Sequence, residues 1–295
     1  MPKGLSLKGL IVFTFKSPEI IKILKYNKDR EVVLEGGGNL PIILMNYLNF
    51  KNIEFNTFFQ NIEYLVPDKK LHNYFKSNIH KYKLEINGYK KAKSIFTISY
   101  LDSAILGCHG ISSETINYYP SKKDYENLKK IKSFRDENPV NENLNHILLL
   151  GTVANPPTRQ GMLDYIQSFK QQKISTKLKV AGFGTDIFKE FNSINIQILG
   201  AVTDKELKDL MKKAKCLIVN QAQTTGFLIK IVDFNIAGIP IFVTSEYYQA
   251  YNLEKFGIFR ISNKEIVEKL NSSLLENKFE TFKKPSLINH VNFNL

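Results

Sequence analysis

The sequence predicts an α/β protein made of parallel βαβ units in two doubly wound halves. Three observations carry this. Short apolar runs such as 146–150 (HILLL) and 215–220 (KCLIVN) alternate with segments whose apolar residues recur at helical spacing. Several of these runs end on glycine, at Gly151, Gly182 and Gly200, as strands do where the chain turns into a following helix. The chain has 295 residues and 43% hydrophobic content, enough for two domains of ordinary size.

In the first half, Leu10 to Phe15 is a short apolar segment, and Ser17 and Pro18 mark the start of a helix through Tyr26. Residues 31–34 (EVVL) read as a strand, followed by Gly36, Gly37 and Gly38 and an apolar helix from Asn39. A glycine triplet at a strand end lets main chain approach a ligand, or simply forms a loose turn. Residues 53–59 (IEFNTFF) form the next strand and run into Gln60 and Asn61. A long helical stretch, 68–92, places Tyr74, Ile79, Tyr82, Ile86 and Tyr89 on one stripe with lysines between them. Such a stripe suits a core-facing helix, and also a basic helix lying on a membrane. A strand over 94–99, a short helix from Tyr100 to Leu106, and a strand over 115–119 ended by Pro120 complete this half.

Residues 121–143 are polar, charged and free of strand pattern, and read as an interdomain linker able to carry a helix. The domains are accordingly placed at 1–138 and 139–295. The second half restarts the rhythm. A strand ends at Gly151, and Pro156 and Pro157 precede a helix over 159–170. Strands over 178–181 and 194–199 follow, then a helix capped by Asp204 and ending at Lys213. The strand 215–220 leads to a helix opened by Gly226, with Phe227, Ile231, Phe234 and Ile236 facing the core and an end near Gly238. The strand 241–244 and a last helix over about 263–275 close the chain.

The formal charge is +13. Nucleic acid, an anionic membrane surface or an anionic substrate each fit such an excess, as does a composition rich in lysine, asparagine and isoleucine on ordinary surfaces. The lysines are scattered, with no arginine-rich arm, RNP-like aromatic motif or zinc finger, so no nucleic-acid partner is expected. No apolar run reaches the length of a membrane span, and the short apolar run 9–15 lacks the cleavage site of a secretory signal. Cys108 and Cys216 stand far apart, without metal-ligand spacing or a disulfide framework. No metal site is expected. None of the five histidines accompanies a serine or cysteine in a nucleophile pattern, and His109 reads as a helix-end residue.

Ligands of open α/β sheets bind outside the carboxyl ends of the strands. Here those ends carry Gly151-Thr152, Gly182-Phe183-Gly184, Gly200-Ala201 and Thr224-Thr225-Gly226, a floor that admits a diphosphate. The 182–184 run lacks the third glycine of a dinucleotide fingerprint, and there is no Walker A sequence, so no nicotinamide or flavin cofactor is expected. Lys230 and Asp233 follow the last of these ends. One reading sets Lys230 on a diphosphate and Asp233 on a sugar or ribose hydroxyl; the other makes them an i,i+3 ion pair.

Several of these segments resemble one family. Residues 146–169, 178–184 (LKVAGFG), 196–220 and 224–244 are similar to the C-terminal nucleotide-sugar domain of GT-B glycosyltransferases, the retaining group 1, family 4-like enzymes, with Gly238, Pro240 and Thr244 in the closing Gly-x-Pro-x-x-x-Thr. Residues 58–64 (FFQNIEY) resemble the family's His-Asn-x-Glu segment, and 91–120 its strand, helix and strand before the linker. The sequence departs from the pattern at Leu228, in place of arginine, at Asp233, in place of glutamate, at Gln60, in place of histidine, and near Thr224 or Thr225, where the first glutamate of the paired acids is absent.

The resemblance implies a GT-B fold, two Rossmann-like doubly wound domains facing a cleft, with a shortened N-terminal domain. It implies a metal-independent hexosyltransferase using a nucleotide sugar as donor substrate and a glycan or lipid-linked acceptor in cell-surface polysaccharide assembly. Lys230 and Asp233 would be catalytic. Gly151, Thr152, Gly182, Phe183, Gly184, Thr224, Thr225 and Gly226 would hold the donor, and Gly36, Gly37, Gln60 and Asn61 would face the acceptor. The expected place is the cytoplasm, at the inner membrane face, with the basic surface meeting anionic lipid. The departures leave open a catalytically degenerate GT-B-like subunit that partners an active transferase.

Overall fold

The computed structural model describes residues 31–36, 38–66, 75–138, 144–172, 174–221, 227–243, 254–262, 265–266 and 279–284. The expected segment 10–15, the helix 18–26, Gly37, the start of the 68–92 helix, Thr224 to Gly226 and most of the 263–275 helix lie outside these residues. The chain divides into two compact units. The first holds the described residues up to Tyr118, and the second holds the rest but for Phe227.

The first unit alternates β1 (Val33–Glu35), α1 (Asn39–Phe50), β2 (Asn56–Phe59), a 3-10 turn (Glu63–Leu65), α2 (Asn78–Tyr89), β3 (Ser94–Thr97), α3 (Tyr100–Cys108) and β4 (Glu114–Thr115). The strands pair in parallel in the order β1-β2-β3-β4. Helices start where the sequence supplies caps. The Ser77 hydroxyl accepts from the His80 N–H, and that of Ser99 accepts from Leu101 and Asp102. The core is Ile42, Ile43, Met45 and Leu48 of α1 against Phe55, Phe59, Ile62, Leu84 and Ile86. The strand expected over 115–119 is shorter. Ile116 donates to the Thr97 carbonyl at 2.8 Å, and pairing stops there because β3 itself ends at Thr97.

The second unit comprises α4 (Lys122–Glu137), β5 (His146–Leu150), α5 (Pro156–Gln171), β6 (Lys177–Ala181), a 3-10 segment (Thr185–Phe191), β7 (Ile196–Gly200), α6 (Asp204–Lys213), β8 (Ala214–Val219), α7 (Ile229–Ile236), β9 (Ile241–Val243), a 3-10 turn (Glu254–Phe256) and β10 (Ile258–Arg260). Its parallel sheet runs β10-β9-β8-β5-β6-β7. The central strand β5 is covered on both faces, with Ile147, Leu148 and Leu149 at 1% exposure or less, which is why it reads as a continuous apolar run. Tyr165, Ile166 and Phe169 of α5 close one face.

Three details differ from expectation. The polar linker is a sixteen-residue helix, α4, that groups with the second unit, so the compact units part about twenty residues before the expected 138/139 boundary. Leu128 and Ile131 bury its inner face, and the Arg135 guanidinium reaches the Ala214 carbonyl at 2.6 Å and that of Gly238 at 3.2 Å. The cap of α6 is Thr203 rather than Asp204. The Thr203 hydroxyl and the Glu206 carboxylate form a reciprocal capping box. The helix after β8 begins at Ile229, with Leu228 still extended (φ −82°, ψ 91°), so Lys230 lies in its first turn.

Candidate functional site

The second unit assembles its glycine-bearing strand ends at one edge of the sheet. Leu150 pairs with Ala181, and Ala181 with Gly200. The ladder continues past the strands. Gly151 donates to Ala181 at 3.1 Å, Gly182 to Gly200 at 2.8 Å, and Val153 to the Phe183 carbonyl at 3.0 Å. The 151–153 and 182–184 loops are therefore zipped together. Gly182 is at φ +129°, and a Cβ there would run into the Gly151 carbonyl oxygen. The missing side chain of Gly151 leaves room for Thr158 and Met162 of α5. These glycines thus have a packing reason, and the same packing leaves bare main chain at the carboxyl edge. Thr152 is exposed, and Phe183 projects from the loop tip at 71% exposure.

Two helices begin at this edge. The first positions of α5 are Pro156 and Pro157, which carry no N–H, so two of its four free donors are missing. The start of α7 has no side-chain cap and no acidic residue in its first turn. Lys230, the second residue of α7, extends to the end of β5 and donates its ammonium to the Leu150 carbonyl at 2.8 Å. Burial lowers its pKa to about 8. The residue as a whole keeps part of its surface, so the stem is half-exposed while the charged tip is enclosed. Asp233, one turn on, is half-buried, and its main-chain carbonyl accepts from Ala237 at 3.0 Å. Leu228 is half-buried at the helix boundary. The structure thus brings Gly151, Gly182, Phe183, Gly184 and Lys230 to one edge. Thr224, Thr225 and Gly226 lie outside the described residues.

In the first unit, Gly36 donates to the Phe58 carbonyl at 3.1 Å, which sets it beside the end of β2, where exposed Gln60 and half-buried Asn61 follow. Gly37 lies outside the described residues. Two charged residues that sequence reasoning passed over stand beneath this edge. Glu85 is 0% exposed and accepts from the main-chain N–H of Glu63 and of Tyr64, both at 2.8 Å, and from the Tyr89 hydroxyl at 2.9 Å. Burial pushes its pKa up to about 7, against the pull of those N–H donors. Lys81, 1% exposed, donates to the Glu63 carbonyl at 2.6 Å. The i,i+4,i+8 spacing of Lys81, Glu85 and Tyr89 is the one sequence signal that places all three on a single helix face.

His109 ends α3, as its position suggests, with the Tyr64 and Tyr82 hydroxyls 3.5 and 3.4 Å from its ring nitrogens. His146 is the first residue of β5 and fully buried, and burial followed by the Lys179 charge lowers its pKa to about 3. Cys216 is buried and Cys108 exposed. Among the described residues no group of three or more His, Cys, Asp or Glu side chains is placed to hold a metal ion, and no helix is long and apolar enough to cross a membrane.

No protein-family model matches the chain, and no curated protein matches it in sequence. Solved structures do match it in fold. Anabaena HepE in complex with UDP aligns at TM-score 0.60 and 12% identity, over 87% of this chain and 72% of that one. A glycosyltransferase from Rickettsia africae aligns at 0.61 and 13%, over 92% and 75%. The UDP-GlcNAc 2-epimerase of Methanocaldococcus jannaschii aligns at 0.52 and 14%, over 90% and 76%. Two parallel α/β units in sequence, aligned with such structures over nine-tenths of the chain, are the GT-B fold, and the chain has that fold.

Proposed function

We propose that the protein is a nucleotide-sugar-dependent, metal-independent hexosyltransferase. The second unit holds the donor and the first carries the acceptor side. The observation that carries this reading is the Lys230 ammonium, poised beside Gly151 in the uncapped first turn of α7, at the carboxyl edge of the six-stranded sheet. A diphosphate at that edge would take over the ammonium from the Leu150 carbonyl and meet the N–H groups of the helix start. Both donors face charge that grows on the leaving diphosphate as the glycosidic bond breaks, so they lower the barrier more than they tighten ground-state binding. Phe183 offers an exposed aromatic face for the nucleobase, and Asp233 a carboxylate for a sugar or ribose hydroxyl. The solved neighbours support the substrate class: HepE was solved with UDP, and the epimerase is named for a UDP-sugar.

The finer reading is a retaining transfer to a glycan or glycolipid in cell-surface polysaccharide assembly. It would take place on the cytoplasmic side, with the lysine-rich surface resting on anionic lipid. Lys230→Ala should lower turnover of a nucleotide hexose far more than it disturbs folding. Full transferase activity in that variant, with the fold intact, would overturn the assignment.

A second reading, a GT-B-like subunit that partners an active transferase, is favoured by Leu228, which puts an apolar side chain where the resembling family has a cation. Complete lack of nucleoside diphosphate binding by the wild type would favour it.

A further inference from the structure

The first unit buries two charged side chains, Lys81 and Glu85, one turn apart on α2. Burying such a pair seldom stabilises a domain more than an apolar pair of the same volume would. These two direct their bonds to main chain. The Glu85 oxygens take the successive N–H groups of Glu63 and Tyr64, one oxygen each, and the Tyr89 hydroxyl, 2.9 Å away, steadies the carboxyl from the next turn. Lys81 holds the Glu63 carbonyl at 2.6 Å, and its ammonium lies 4.0 Å from the Glu63 carboxylate. The Tyr64 ring then packs edge-on against Tyr82, with ring centroids 4.8 Å apart. A single helix face therefore fixes three consecutive main-chain polar groups of the turn that leaves β2. That turn carries Gln60 and Asn61 at the carboxyl edge of the first sheet.

We propose that Glu85, assisted by Lys81, is a positioning residue: it locks the 60–65 turn onto α2 and so sets where Gln60 and Asn61 meet the acceptor. The acceptor role of Gln60 and Asn61 rests on the transferase reading above; the locking of the turn does not. A carboxylate suits the task, because two parallel N–H groups need two acceptor oxygens in one plane. An amide keeps one of them, and alanine keeps neither.

The test uses the full chain with Glu85→Gln and Glu85→Ala, and reads two quantities. Amide hydrogen exchange over residues 60–66 should speed up by about tenfold or more in Glu85→Gln and further in Glu85→Ala, while the central strand of the second unit, β5, keeps its protection. Exchange over 60–66 that stays at the wild-type rate in folded Glu85→Gln overturns the locking. The second readout is turnover of UDP-glucose with and without octyl glucoside as acceptor probe. Glu85→Gln should raise the KM for the probe at least fivefold and leave UDP affinity and donor hydrolysis within twofold of wild type. An unchanged probe KM in a variant whose turn has loosened overturns the acceptor-side role. If the wild type binds no UDP and turns over no donor, the transferase reading and with it the acceptor clause fall, while exchange still decides the locking.

Discussion

The Lys230 ammonium lies 2.8 Å from the Leu150 carbonyl and ties the first turn of α7 to the last residue of β5. One side chain thus ties a helix start to a strand end, and under the proposed transferase reading it would also offer its cation to a diphosphate. Its contribution to the fold is small by physical argument. The hydrogen bond to Leu150 is opposed by the cost of enclosing the charge. Lys230→Met, which keeps the apolar stem, should change the free energy of unfolding by no more than about 1 kcal/mol in urea titrations.

The pH dependence of this lysine gives a second check. Its folded pKa of about 8 lies below the ordinary 10.5, so between those values the unfolded chain holds more protons than the folded one. Stability from this group therefore rises with pH from about 8 to 10.5, and Lys230→Met should lack that rise. Anion binding moves the other way. Affinity for a nucleoside diphosphate should fall as pH climbs through 8 and the ammonium is lost. Lys230→Arg, which stays charged, should hold its affinity to above pH 9. Calorimetry across pH 7 to 9.5 reads both.

Arg135 shows how a segment of polar sequence became structural. Its guanidinium contacts the carbonyls of Gly238, Met211, Lys212 and Ala214, which lie at the carboxyl ends of α6 and α7. Removing it leaves those carbonyls short of donors in a half-buried seam. Arg135→Met should cost about 2–4 kcal/mol of stability, seen as a lower urea midpoint at unchanged m-value.

What the sequence made legible, and what it hid, follows from the same physics. The central strands were plain because two-sided burial demands uninterrupted apolar runs such as 146–150. The α4 helix was half hidden, since only Leu128 and Ile131 are buried in it and much of its attachment is polar, through Arg135 and through Lys212 over the Phe134 ring. The capping box at Thr203 and Glu206 was visible as a spacing, yet Asp204 drew the assignment. The placement of Gly151, Gly182, Gly184 and Lys230 at one edge was legible because βαβ geometry delivers strand ends and helix starts there. Lys81 and Glu85 were not found. A lysine and a glutamate on a basic helix look solvated in sequence, and the turn docked from another element explains their burial.

His146 and Glu85 predict an acid profile. His146 is held neutral, with its pKa near 3 against an ordinary 6.5, so the unfolded chain gains the proton first and stability falls as pH drops from 6.5 toward 3. Glu85 acts in the opposite sense. Its folded pKa near 7 exceeds the ordinary 4.5, so its contribution grows as pH drops from 7 to 4.5. The two oppose each other between about 4.5 and 6.5, and the loss from His146 stands alone below 4.5. His146→Gln, which does not titrate, should be less acid-sensitive than wild type below pH 4.5 in thermal melts, and Glu85→Gln more acid-sensitive than wild type between 6.5 and 4.5.

The central claim, a diphosphate seat built around Lys230, is tested most directly by calorimetric titration of the full chain and of Lys230→Met with UDP, GDP and ADP at pH 7. The account predicts micromolar binding of at least one diphosphate by the wild type, weakened about tenfold or more in Lys230→Met at unchanged thermal stability. Equal affinity in the two proteins, or no binding of any of the three by the wild type, would contradict it.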